Sequence, residues 1–437
     1  MNASPDVRTV PEGVAPRATR ARYGALAFVT SVAALTYIDR VCISKAEPFI
    51  TKEFGLTGQQ MGYVFAAFAV GYALFEIPGG WLGDRIGARK VLTRIVLWWS
   101  FFTAATGWAW SLGSMIWTRF LFGAGEAGCF PNVAKVVRTW LPENERVRAQ
   151  SLIWLSARWG GAFTPFLIAF LLDVMSWRAI LYGFGALGIV WSALFYRWYR
   201  DNPREATSAN EAELALIEGD RKGEPAAGPT PWRAMLTSRT VWLLCLQYLF
   251  LAYAWFFYVS WLPKYLLEKL HVAGKYAAFL NTFPLFLGGI GCIVGGAALP
   301  HVVRWAGGAK AGRRIVACVG FGAASLLLLL SLHLKDPLLA MIAMGFASFA
   351  NDFVMPVSWA AAMDIGGRHT GTLSGAMNMA SAIGGGCFAI VAGALRDWTG
   401  GWDGTFYISA GVYLLGIFCW LGLDPVTPLA ESEKGTA

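Results

Sequence analysis

The sequence predicts an all-α polytopic membrane protein: twelve transmembrane helices in two pseudo-symmetric six-helix bundles. Three observations carry this expectation. The 437 residues are 56% hydrophobic and only 14% charged, with a mean hydropathy of +0.49, whereas a soluble chain carries about a quarter of its residues as charges. The apolar residues fall in runs of about 20, the length a helix needs to cross the hydrocarbon core. The runs divide into six, a hydrophilic stretch, and six more.

In chain order, the first six candidate spans are 23–45, 58–79, 91–111, 112–138, 149–173 and 177–199, forming an N-terminal bundle over 23–199. Residues 1–22 are polar, contain Pro and Arg and lack an apolar leader segment, so they read as a cytoplasmic tail and not a signal peptide. Residues 200–238 mix both charge signs with Pro and Gly and read as a solvated cytoplasmic linker, in which ANEAELALIE has the pattern of a short amphipathic helix. The second six spans are 239–262, 276–303, 313–333, 337–361, 371–396 and 404–423, a C-terminal bundle over 239–423 with a cytoplasmic tail at 424–437. Two six-span halves are the layout of a repeat-built transporter, whose substrate site lies near the midplane between the halves.

Basic residues set the orientation. With the amino terminus inside, 25 of the 36 Lys and Arg lie in cytoplasmic tails and loops, Lys434 included, and eight lie in outer loops. Both termini are then cytoplasmic, in a cell inner membrane. The net charge of +9 is topology and calls for no nucleic-acid partner. The seven Cys all sit in apolar runs without CxxC or Cys/His clusters, so neither a disulfide framework nor a metal site is expected. The Gly-rich runs GGIGCIVGG and IGGGC follow no strand and precede no phosphate-loop Lys, so no nucleotide cofactor is expected.

Spans 2 and 3 are joined by GGWLGDRIGARK, residues 79–90. Its glycines permit a tight turn between closely packed helices. Asp84 is suited to accept hydrogen bonds from a helix N-terminus or to pair with Arg, which would latch the cytoplasmic side in one conformer. The pattern of Gly80, Gly83, Asp84, Arg85, Gly87, Arg89 and Lys90 resembles the signature loop of the major facilitator superfamily. Residues 295–314 in the second half keep a Gly pair and basic residues but no Asp.

Five ionisable residues stand out inside the first-half spans: Asp39 and Arg40 in span 1, Arg119 and Glu126 in span 4, and Arg158 in span 5. A charge at a bilayer centre costs about 2.5–3.5 kcal/mol on insertion scales, and such residues face a bundle interior or a wet cavity. Arg119 and Glu126 are seven residues apart, so they share a helix face. Tyr37 and Arg40 are neighbours at i, i+3. Two acids and three bases leave one positive charge over, and a buried surplus cation invites an anion. Arg forks bind carboxylates bidentately, while desolvated acids take up and release protons. The expectation is that Arg40, Arg119 and Arg158 bind an organic anion and that Asp39 and Glu126 carry coupling protons.

YIDR in span 1 and R-x6-E-A-x-x-F-P in span 4 resemble the anion:cation symporter branch of the superfamily, which includes bacterial sugar-acid/proton symporters such as galactonate, glucarate or hexuronate carriers. The resemblance implies proton-coupled uptake of a hexuronate, aldonate or aldarate by alternating access. It implies protonation sites at Asp39 and Glu126, a carboxylate grip at Arg40, lining tyrosines at Tyr37 and Tyr72, and a hydroxyl contact at Asn378. Arg158 departs from the branch. It reads either as a second anion contact or as the partner of Asp352 in span 10. Asp352 in turn reads as a second proton site, an Arg partner or a residue of the inner mouth.

In the second half, Asn281, Ser358, Asn378 and Ser381 are the polar candidates, since amides and hydroxyls hold hydroxyl-rich ligands. No HExxH, nucleophile elbow or Cys/His set points to an enzyme, and the linker is too short for a sizeable signalling domain. The remaining expectations are a small anionic substrate and protons as partners, lipid as surroundings, and a working monomer. Transport of another carboxylate or an inorganic anion, or organic-anion export, is the alternative.

Overall fold

Lipid offers backbone groups no hydrogen-bond partner, so a spanning segment must satisfy its own as a helix. The computed structural model describes residues 17–219, 228–399 and 401–429, and every regular element there is helical. Most of the N-terminal tail, part of the linker and Lys434 lie outside the described residues.

The first half contains α1 (Ala21–Phe54), α2 (Gly58–Ile86), α3 (Ala88–Gly107), α4 (Leu112–Glu126), α5 (Cys129–Trp140), α6 (Glu143–Leu172) and α7 (Trp177–Trp198). The connecting region holds α8 (Glu211–Glu218) and α9 (Trp232–Thr237). The second half contains α10 (Arg239–Ser260), α11 (Leu262–Glu268), α12 (Gly274–Leu280), α13 (Thr282–Trp305), α14 (Ala309–His333), α15 (Pro337–Gly366), α16 (Thr370–Thr399) and α17 (Asp403–Gly422).

Among the described residues, nine helical stretches are long and apolar enough to cross a membrane. One of them, Pro337–Arg396, is two crossings, α15 and α16, folded back at the 3-10 turn Gly367–His369. The other two crossings are α3, which starts on three basic residues, and the pair α4–α5. The total is twelve.

Local sequence explains the helix ends. Thr57 and Gln60 form a reciprocal capping box at the start of α2, and Ser111 and Ser114 form one at the start of α4. Asp336 caps α15, with Pro337 at its first position. Gly55 ends α1 in the left-handed conformation. The fourth crossing, expected to run unbroken over 112–138, is instead interrupted. Ala127 is extended and Gly128 has φ +80°, which separates α4 from α5. A Cβ on Gly128 would also run into the backbone of Gly79, so glycine serves both the turn and the approach of α2.

The two halves repeat one packing scheme. In the first, α1 packs on α6, α2 on α4, and α3 on α7. In the second, α10 packs on α16, α13 on α15, and α14 on α17, which is the same order of crossings. The halves meet mainly through α2 against α16 and α6 against α13. The connecting region is more docked than a solvated linker: Glu213 of α8 is fully buried and pairs with Arg22 at 2.8 Å, and Arg22 also pairs with Glu145 of α6 at 2.9 Å.

Candidate functional site

One face of the seam is closed by bonds between the halves. Asp84, near the end of α2, accepts from the backbone amides of Gly371 (3.0 Å) and Thr372 (2.6 Å) and from the Thr372 hydroxyl (2.7 Å). These amides are the N-terminus of α16, where the helix dipole favours an anion. Lys135 of α5 adds a 3.3 Å contact to Asp84. Nearby, Arg146 of α6 (2.9 Å) and Arg313 of α14 (2.5 Å) converge on Asp364 of α15. Gly80 and Gly371 meet backbone to backbone, and Gly83 lies against the Asn132 side chain, so neither approach leaves room for a Cβ.

The rest of the signature loop does not cross the seam. Arg89 donates to the Tyr196 carbonyl (2.9 and 2.6 Å) and through its amide to Asp201 (3.0 Å). Gly87, at φ +91°, faces the Asp201 carboxylate. Arg85 is exposed and stacks on Trp81 at 5.3 Å. The latch expected of the whole motif therefore narrows: Arg85, Gly87 and Arg89 organise the first half, and the cross-seam bonds come from Asp84 and the Gly80 approach.

Beyond the closed face lies a cavity of about 720 Å³ between the halves, lined by Tyr37, Arg40, Tyr72, Arg119, Arg158 and Asn378 among others. It extends to Ser44 and Ser260. Ser260 is the last residue of α10, a helix that enters from the connecting region, so the cavity reaches toward the face opposite the Asp84 bonds.

Arg40 donates from Nε to Glu126 Oε1 at 2.5 Å. Its guanidinium stacks on Tyr72 (4.4 Å), Phe68 (5.4 Å) and Tyr37 (5.5 Å). The Arg40 side chain is 22% exposed while that of Glu126 is fully buried. The second arm, Nη2, has no hydrogen-bond partner among the described residues. Asp39 turns the other way, as adjacent positions on a helix must. It is buried beside Trp99, within electrostatic range of Arg119 and Glu126, and its Oδ1 is unpartnered among the described residues. Arg119 is buried, stacks on Phe122 at 4.2 Å, and has an unpartnered Nε there.

Among the described residues, two hydrogen-bonded groups at the cavity join the halves, beside ring contacts such as Arg158 over Trp255 at 4.0 Å. Arg158 grips Asp352 bidentately, Nε to Oδ2 at 2.6 Å and Nη2 to Oδ1 at 2.9 Å, and donates to the Tyr37 hydroxyl at 3.2 Å. Asn351 and Tyr413 hold the back of that pair. On the α2 side, the Asn378 amide donates to the Tyr72 hydroxyl and to Glu76 Oε1, both at 2.9 Å. Glu76 is fully buried, and it was not singled out from the sequence. The signal was present as an acid in the apolar run YALFEIPGG.

Glu76 corrects the charge count. The membrane-core set is four acids, Asp39, Glu76, Glu126 and Asp352, against three bases, Arg40, Arg119 and Arg158. No positive charge is left over when all are ionised. Two other expectations move. Ser358 is buried in the second half, bonded to Gln247 at 3.2 Å, and Asn281 sits in the turn between α12 and α13; neither lines the cavity. Ser381 does line it.

The chain matches the family model described as Major Facilitator Superfamily over residues 29–389. It is 32% identical over 405 residues to a protein of Cupriavidus necator named "Probable sulfoacetate transporter SauU", covering 92% of this chain and 93% of that one. It is 29% identical over 414 residues to a "D-galactonate transporter" of Escherichia coli, covering 92% and 95%. Among solved structures, a proton:xylose symporter, XylE, superposes with a TM-score of 0.73 at 13% identity, covering 93% of this chain and 98% of that one.

Proposed function

For a chain that belongs to the Major Facilitator Superfamily, and is a multi-pass membrane transporter and not an enzyme, we propose proton-coupled uptake of an organic anion, most specifically a sugar acid. In this proposal the chain lies in a cell inner membrane with both termini in the cytoplasm, and the two bundles rock about the cavity in a monomer. The observation that carries the reading is Arg40: a cation that lines the cavity, is walled by aromatic rings and holds a buried carboxylate through Nε, while its Nη2 is buried with no hydrogen-bond partner among the described residues.

That geometry links anion to proton. When a substrate carboxylate takes the Arg40 fork, Glu126 loses its partner, and a buried carboxylate without one costs several kcal/mol. Protonating Glu126 removes the cost, so anion binding draws in a proton. Asp39 lies within electrostatic range of Arg119 without being paired to it and is the second carboxyl assigned a coupling proton. With all four acids ionised the chamber carries net negative charge and repels an anion; with two protonated it carries one net positive charge and accepts one.

The sugar acid is supported by the similarity to the galactonate transporter and by Asn378 and Ser381 at the cavity wall. A compact sulfonate-carboxylate dianion is the second reading. It is favoured by the aromatic lining and by an Asn378 amide already engaged with Tyr72 and Glu76, which leaves few partners for a polyol, and by the similarity to the sulfoacetate transporter.

The test is uptake into proteoliposomes of radiolabelled D-galactonate, D-glucuronate, D-glucarate and sulfoacetate. An inside-alkaline gradient is expected to drive accumulation of at least one of them, a protonophore to abolish it, and Arg40→Ala to lower it at least 100-fold. Failure of all four to accumulate removes the substrate assignment. Accumulation that survives gradient collapse removes the proton coupling.

A further inference from the structure

Glu76 is a buried carboxyl that the mechanism above leaves unused. Its Oε1 accepts from Asn378 across the seam at 2.9 Å, and its Oε2 is buried with no hydrogen-bond partner among the described residues. Among the described residues it has no ion pair, in contrast to Glu126 and Asp352. The Gly375 position of α16 lies directly on its backbone. The carboxyl is therefore enclosed by the other half of the protein, and its enclosure depends on the seam staying shut.

We propose that Glu76 is a further proton-carrying residue, protonated while α16 covers it and released to the cytoplasm when the seam opens on that side. The proposal rests on the proton-coupled reading above and adds one proton to the cycle. The physical argument concerns solvation. A carboxylate held without a direct ion-pair partner in a closed, low-dielectric seam is disfavoured, whereas the neutral acid is tolerated. Separating α2 from α16 breaks the Asn378 bond and admits water. The O–H bond of the carboxyl then breaks, its proton passes to water of the inner vestibule, and the carboxylate is left hydrated.

The surroundings fit this role. Arg40 of α1 is the charged group within electrostatic range of Glu76, and it already engages Glu126 of α4. From α5 come Cys129 and the Gly128 amide, and from α2 itself Tyr72. From α16 the facing groups are Asn378 and Gly375. The charged residues of α3, Arg89, Lys90 and Arg94, lie in its first two turns, as do Arg368 and His369 in the turn before α16, all toward the closed face. Tyr72, which lines the cavity and shares Asn378 with Glu76, connects the carboxyl to the ligand chamber.

The sign follows from linkage. The open-seam conformer binds fewer protons at Glu76, so raising the pH favours opening and lowering it favours the closed seam. The test uses purified protein in lipid nanodiscs without any ligand, so it reads out even if the transported anion is not among those named above. Hydrogen–deuterium exchange of residues 371–378, corrected for intrinsic pH effects, is measured across a pH series. Infrared difference spectra with carboxyl-13C glutamate are recorded in parallel.

Wild type is expected to lose protection in 371–378 as pH rises and to lose a protonated-glutamate band over the same interval. Glu76→Gln keeps an acceptor for Asn378 and is expected to abolish both changes and to take up about one proton fewer per molecule in a pH step. Glu126→Gln is expected to retain a glutamate band, which tests the proposal even if the Glu76 variant does not fold. Identical bands and exchange profiles in wild type and Glu76→Gln, or no glutamate band left in Glu126→Gln, would overturn it.

Discussion

Arg158 and Asp352 face each other across the two bundles with 1% and 0% of their side chains exposed. A buried pair of this kind adds little net stability against an apolar replacement, but removing one partner leaves a bare charge and costs about 3–5 kcal/mol. Arg158→Met is therefore expected to lower the thermal unfolding midpoint in detergent sharply, and Arg158→Met with Asp352→Leu to recover most of the loss. A double variant no better than the single one would mean that the pair's geometry, and not its charge balance, holds this part of the seam. The sequence left open whether Arg158 contacts an anion or pairs with Asp352, because distance between helices cannot be read from spacing within them; the structure shows the pairing. Glu76 was hidden for a related reason. Near the end of an apolar run it looks like a boundary residue, and only the packing of α16 over it reveals its burial.

Helix spans were legible because lipid leaves one solution for an apolar run. Rotation of each helix about its axis was not. In α15 nearly every residue from Ser348 to Gly366 is buried, so no polar stripe marks which side faces the cavity, and Ser358 was placed there wrongly. The break between α4 and α5 was written in GAGEAGCFP, but glycine in a membrane helix also serves close packing, and the sequence does not separate the two uses. The bonding of Asp84 was legible because carboxylate oxygens match a helix N-terminus, which is where the structure puts them. Asp84→Asn keeps part of the hydrogen bonding at the start of α16 and loses the charge, a change of about 1 kcal/mol or somewhat more. It is expected to raise the open-seam population roughly tenfold, measured as faster amide exchange in residues 370–374, while the exchange of α3 and α7 stays unchanged. Faster exchange throughout the first half would instead make Asp84 a folding determinant.

At the scale of the molecule, closure of one face is shared by two carboxylate grips, with Arg138 of α5 adding a 3.1 Å bond to the Met363 carbonyl. Asp84 ties α2 to α16, and Asp364 collects Arg146 of the first half and Arg313 of the second. They hold different helices but oppose the same motion, since neither half can tilt away without breaking both. Asp364→Asn leaves two arginines converging on a neutral amide, so it removes an attraction and adds a repulsion. It is expected to open the seam more than Asp84→Asn does. If the bundles move as rigid bodies, the two substitutions act on one equilibrium, and their free-energy effects on opening are expected to add within about 0.5 kcal/mol, as for sites that share no partner. Exchange of residues 359–374 in both single variants and the double variant supplies the cycle. Additivity across that whole window means the face opens as one unit. Loss of protection confined to the end of α15 in Asp364→Asn, and to the start of α16 in Asp84→Asn, would mean two local gates and would refute a single rigid-body motion.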